Sequence, residues 1–64
     1  MSSDNYIRIK ETEKREYEIF EVFSGGAVQK IGQETNLRKA MLVAEDYQNE
    51  NEVEYGISFV PFQE

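Results

Sequence analysis

The chain contains neither cysteine nor histidine, and this double absence limits how a polypeptide of 64 residues can hold a fold. Disulfides are excluded, and so are nitrogen and sulfur ligands for zinc or other transition metals. Domains of this size bury a modest core and commonly draw on a cross-link, a metal or a partner subunit. Close packing or self-association is the support that remains. Four Tyr and four Phe within a hydrophobic content of 39% argue against disorder despite the charge. The expectation is a single domain over residues 1–64, with flexible ends at 1–4 and 63–64.

Apolar periodicity divides the chain into five elements. Tyr6-Ile7-Arg8-Ile9-Lys10 alternates as a half-buried strand, Ile7 and Ile9 on one face. A polar connection, Glu11 to Arg15, leads to a second strand from Tyr17 to Phe23. Its alternation changes phase between Ile19 and Phe20, which predicts either a bulge there or a strand apolar on both faces. Ser24-Gly25-Gly26 marks a tight hairpin turn. A short third strand, Ala27 to Ile31, follows and is closed by Gly32.

Thr35 is the expected helix N-cap, without a capping box because Arg38 stands three residues later. Leu37, Ala40, Met41, Ala44, Tyr47 and Gln48 share one helical face. The helix should end at Asn49–Asn51, where Asn tolerates the left-handed conformation. Val53, Tyr55, Ile57 and Phe59 then alternate with Glu52, Glu54, Gly56 and Ser58 as a fourth strand, stopped near Pro61.

The order β-β-β-α-β predicts a small α+β domain: a three-stranded antiparallel meander, one helix across one face, and a C-terminal strand that joins the sheet. A right-handed crossover places that strand parallel to the first and beside it, in the order 4-1-2-3. Placement beside the third strand is the alternative.

Little in the sequence can carry catalysis. The commonest general base and the thiol nucleophile are missing, and Ser2, Ser3, Ser24 and Ser58 have no base at readable spacing. The Gly25-Gly26 pair joins two strands and lacks the phosphate-loop spacing. Carboxylate pairs such as Glu45/Asp46 or Glu52/Glu54 need a concave apolar site to separate their pKa values, and no calcium-loop spacing is present. No catalytic, cofactor or metal site is assigned. No apolar run reaches membrane-spanning length, and Met1-Ser2-Ser3-Asp4 lacks the regions of a signal peptide. A soluble, intracellular (cytoplasmic) protein is expected.

Charge is segregated along the chain. Residues 1–39 hold seven acids and seven bases, net zero, while residues 40–64 hold six acids and no base, the whole net charge of −6. That charge repels phosphate backbones and disfavours direct nucleic-acid binding. Arg8, Lys10, Lys14 and Arg15 are interleaved with Glu11, Glu13, Glu16 and Glu18, which cancels a local basic patch. Glu52 and Glu54 are expected to face Arg8 and Lys10 across the sheet, with Glu16 and Glu18 on the other side, as a charge ladder.

The helix charges have no such structural role. Arg38 and Lys39 lie in the first turn, and Glu45, Asp46 and Glu50 lie toward the end, the reverse of what the helix dipole favours. Leu42 falls on the solvent side between Arg38, Glu45, Asp46 and Asn49, where it can act as a small contact anchor. Val60 and Phe62, joined by Phe20 and Val22, would make an apolar group on the open sheet face and a possible dimer interface.

In size and composition the chain is similar to many small phage-encoded accessory and inhibitor proteins, a likeness that rests on no motif. The leading expectation is a non-enzymatic binding or inhibitor module. It would present Leu42, Glu45, Asp46, Glu50, Glu52 and Glu54 to a basic surface of a protein partner, for instance a nucleic-acid-binding groove that carboxylates occupy in place of phosphates. The alternative is a structural or assembly protein that homodimerises through the open sheet face.

Overall fold

The computed structural model describes residues 5–51 and 56–63. Residues 1–4, 52–55 and 64 lie outside them, and with them most of the ends expected to be flexible and the first half of the expected fourth strand. The elements are β1 (Tyr6–Glu11), β2 (Tyr17–Val22), β3 (Val28–Glu34), α1 (Leu37–Asn51) and β4 (Ile57–Val60). They build one four-stranded sheet in the order β3-β2-β1-β4. β1 pairs antiparallel with β2 and parallel with β4, and β2 pairs antiparallel with β3. The expected β-β-β-α-β architecture and strand order are the observed ones.

Ile7 and Ile9 on β1 and Ile19 on β2 are fully buried against Ala40 and Ala44 of the helix. Burial of each isoleucine stabilises by roughly 1.5–3 kcal/mol. The alanines contribute little area themselves but let the helix axis come close to the sheet. At Gly32 the approach is closest: an added Cβ would stand 3.3 Å from Val43 Cγ1. Glycine here closes no strand. It lies inside β3 and makes room for the helix, so β3 runs on to Glu34. Because the helix bears on β3 through Val43, its buried stripe is turned from the predicted one. Val43 and Tyr47 pack on the core, whereas Leu37 and Met41 stay 39% and 37% exposed.

The phase change in the second strand has a clear origin. β2 keeps an unbroken register with β1 from Tyr17 to Val22, so Tyr17, Ile19 and Glu21 share the helix side while Glu18, Phe20 and Val22 share the open side. The irregularity is on the neighbour: Ile19 pairs with Gly32 and Phe20 with Lys30, which leaves Ile31 as the extra residue of a bulge in β3. Of the two alternatives for the second strand, apolar character on both faces is the one that holds, and the bulge lies in its neighbour β3.

The helix is capped by Asn36, not Thr35. Asn36 Oδ1 accepts from the backbone N–H of Arg38 at 2.8 Å and of Lys39 at 3.4 Å. The Asn36 carbonyl accepts from Ala40 N–H at 3.0 Å. Asparagine is the stronger N-cap of the two.

Both hairpins use the same five-residue turn. Thr12 N–H donates to Glu16 O at 2.8 Å and Arg15 N–H to Thr12 O at 3.0 Å. In the second turn Phe23 N–H donates to Ala27 O at 2.8 Å and Gly26 N–H to Phe23 O at 2.9 Å. The equivalent residues Arg15 and Gly26 adopt positive φ, 61° and 96°. Glycine takes that conformation without cost, whereas a side chain there is strained. Arg15→Gly should therefore raise the unfolding free energy by about 0.5–1 kcal/mol, read as a higher urea midpoint at unchanged slope. Gly26→Arg should lower it by a similar amount.

Candidate interaction surfaces

The outer surface of α1 carries the acidic group expected from the sequence. Leu42 is 56% exposed, and Glu45, Asp46, Asn49 and Glu50 are exposed with it. The first turn of the helix holds no acid and the last turn no base, so the dipole opposes the charges at both ends. Among the described residues the one ion pair is Lys30–Glu18, and none of Glu45, Asp46 and Glu50 is neutralised by a base. Glu52 and Glu54, the other two acids expected at this surface, lie outside the described residues.

The charge ladder runs differently from the expectation. Across from Arg8 and Lys10 on β4 stand Ser58 and Val60, because Ile7 is in register with Ile57. Arg8 turns instead to Tyr6: it donates to the hydroxyl at 2.8 Å and lies 5.8 Å from the ring centroid. Glu18 is in register with Lys10, but its ion pair is with Lys30 at 3.3 Å. Lys30 also donates to Gln33 Oε1 at 2.8 Å, and Gln33 donates to Glu16 Oε1 at 3.1 Å. The polar network thus joins β2 to β3. The Lys30–Glu18 pair is partly exposed, so it contributes only about 0.2–1 kcal/mol.

The apolar group predicted for the open face is smaller than expected. Val22 is 8% exposed and Phe20 is half-buried, so neighbouring side chains already cover them. Val60 and Phe62 remain open at 36% and 41%. Phe62 is tied to the sheet through its backbone N–H, which donates to Glu11 Oε1 at 3.1 Å.

One polar cluster escaped the sequence reading. Glu21 is buried on the helix side of β2 at 6% exposure. Its two carboxyl oxygens accept from Asn5 Nδ2 at 2.7 Å and from the Tyr47 hydroxyl at 2.5 Å. Asn5 Oδ1 accepts in turn from Ser24 N–H at 3.4 Å. The cluster ties the N-terminal end of β1, the second hairpin and the last turns of α1 together. A charge in an otherwise apolar phase of β2 was the available signal, since strand alternation places Glu21 on the side of Ile19. Every member is hydrogen-bonded, and the cluster serves as a structural clasp.

Among the described residues no group of three or more acids is placed to hold a metal ion. No helix there is long and apolar enough to cross a membrane. No protein-family model matches the chain, and neither a curated protein nor a solved structure matches it.

The clasp has a pH signature. The hydrogen bond to Glu21 raises the pKa of Tyr47 above its usual 10.0, and burial and the Glu21 charge act in the same direction. In the folded chain Tyr47 keeps its proton to higher pH than in the unfolded chain. Its contribution is complete below about pH 10 and is lost as pH rises through the raised value. Urea midpoints measured from pH 8 to pH 11 should fall at the alkaline end. Tyr47→Phe should flatten that fall and cost about 1–3 kcal/mol at neutral pH, because Glu21 loses a donor.

Proposed function

We propose that the chain is a non-enzymatic binding module that engages a basic protein surface through the outer face of α1. The observation that carries this reading is Leu42, 56% exposed and flanked one helical turn away by the unpaired carboxylates Glu45 and Asp46. A stability argument does not account for these charges: they oppose the helix dipole and have no basic partner among the described residues. An exposed apolar side chain with two carboxylates one turn beyond it suits a contact in which the field guides approach and the leucine is desolvated on arrival.

Carboxylates spaced along a helix present negative charge at intervals that a cationic groove for nucleic acid could accept in place of phosphates. In that role the module acts as an inhibitor or accessory protein. Glu50 extends the acidic field toward the end of the helix, and Glu52 and Glu54, which follow in the sequence, are the further acids of the proposed contact.

The test is capture of partners by the immobilised chain at low and at high ionic strength. Binding should weaken steeply with salt. The double variant Glu45→Lys/Asp46→Lys should lose roughly tenfold or more in affinity while its far-UV circular dichroism stays that of the parent. Leu42→Ala should weaken binding without changing its salt dependence. An affinity indifferent to all three substitutions would exclude the helix face as the contact.

A further inference from the structure

The two edges of the sheet are guarded very differently. β3 carries a bulge at Ile31, the paired Lys30 and the polar Gln29, Gln33 and Glu34, devices that discourage another strand from adding to it. β4, at the opposite edge, reads Ile57-Ser58-Phe59-Val60: no charge, no proline and no bulge.

The hydrogen-bond phase of β4 shows which of its groups are free. Ile7 N–H donates to the Gly56 carbonyl at 3.2 Å, and Ile7 is in register with Ile57. In a parallel ladder the backbone groups of Gly56, Ser58 and Val60 then turn toward β1, and those of Ile57 and Phe59 turn outward. The outward residues are also the ones whose side chains lie on the helix side, in register with Ile7 and Ile9. The helix rests on β1, β2 and β3, and Phe59 on that side is still 44% exposed.

We infer that β4 pairs antiparallel with β4 of a second copy of this chain, about a two-fold axis through Ser58, to form a continuous eight-stranded sheet. In this register Ile57 faces Phe59 of the second copy and Phe59 faces its Ile57, each pair exchanging both backbone hydrogen bonds. All the outward groups of Ile57 and Phe59 are satisfied. The same two pairs set an isoleucine against an aromatic ring on the helix side, a favourable cross-strand combination. The two Ser58 residues meet as a non-hydrogen-bonded pair, the closer kind, with Cα atoms about 4.5 Å apart.

A second copy fits this edge better than a foreign strand for two reasons. The pairing is self-complementary in length, register and side-chain type, as a two-fold interface requires. The strand Ile57–Val60 is also free of charge, which matters for two molecules that each carry −6. Because that net charge opposes association, dimerisation should strengthen with added salt, the reverse of the trend expected for docking of the acidic helix face. The two readings use different surfaces and fail independently.

The absence of cysteine from the chain provides a direct test. Ser58→Cys introduces a single thiol, and about 4.5 Å between Cα atoms lies within disulfide range. Under mild oxidation it should form a covalent dimer at least tenfold faster than Ser24→Cys, placed in the exposed second hairpin turn. Sedimentation equilibrium at roughly 10–100 µM should show dimer for the parent chain, an affinity in the micromolar range. Ser58→Lys should be monomeric over the same range, because it sets two like charges face to face. Ser58 is exposed, so an unchanged urea midpoint extrapolated to low protein concentration confirms that Ser58→Lys still folds. A parent chain that stays monomeric throughout would overturn the inference. So would a dimer that survives Ser58→Lys, equal cross-linking rates for the two cysteine variants, or a dimer lost with Phe20→Ser but kept with Ser58→Lys.

Discussion

Ala40 and Ala44 lie fully buried against Ile7, Ile9 and Ile19, and the closeness of that contact governs the rest of the molecule. Alanine contributes little apolar area, so the helix adds to stability mainly by excluding water from the isoleucines beneath it. Larger residues at positions 40 and 44 would lift the helix from the sheet and open gaps that a core of this size has no spare contacts to fill. The same closeness draws Val43 onto Gly32 and turns the helix toward β3. Leu37 and Met41 are left at the margin of the core and Phe59 on β4 is left partly open. The exposed apolar surface on the helix side is therefore a consequence of how the core is packed.

A second constraint acts at the other end of the helix. The Asn5–Glu21–Tyr47 cluster puts a carboxyl group where strand alternation demands an inward side chain. A buried acid is costly unless its oxygens are met by donors, and here each oxygen accepts one. The donors come from the start of β1 and from the last part of α1, positions far apart in sequence. Polar clusters of this kind favour one arrangement over others, because a slipped register would leave the carboxyl group unmet. In a domain whose apolar core is small, the clasp fixes the angle and position of the helix more tightly than alanine packing alone can.

The order of elements and the sheet topology could be read from the sequence because they follow from local periodicity and a general chirality rule. Ile7 and Ile9 announce a strand, Ala40 and Ala44 a helix, and the parallel return of β4 follows from the handedness of the crossover. Details that depend on two distant segments could not be read in the same way. Gly32 looks like a stop until the helix is placed above it. The turn between Glu11 and Arg15 contains no glycine, so its likeness to the turn at Ser24-Gly25-Gly26 becomes visible only in the hydrogen bonds. The exposed acidic helix surface was legible because helical angle alone settles which side Leu42 and Glu45 take. The charge ladder was not, because it depended on the register between β1 and β4. The pairing of Ile7 with Ile57 puts Ser58 and Val60 beside Arg8 and Lys10.

The distribution of charge connects the two surfaces. Glu45, Asp46 and Glu50 are exposed on α1, whereas the β4 residues Ile57–Val60 carry no charge, so pairing of β4 with its copy sets no like charges against each other within the paired strands. A two-fold axis perpendicular to the sheet keeps both helices on the same side of an eight-stranded sheet. Both acidic faces would then point in one direction, and a partner with an extended basic groove would meet two patches at once. Linked sites of this kind gain affinity through effective concentration without any new contact. Moderate strength at each patch would then be enough, which suits a contact built from one leucine and a few carboxylates. Salt acts on the two steps in opposite senses, screening repulsion between copies while weakening attraction to a basic partner. Assembly of such a complex is therefore favoured at intermediate ionic strength, where neither step is suppressed.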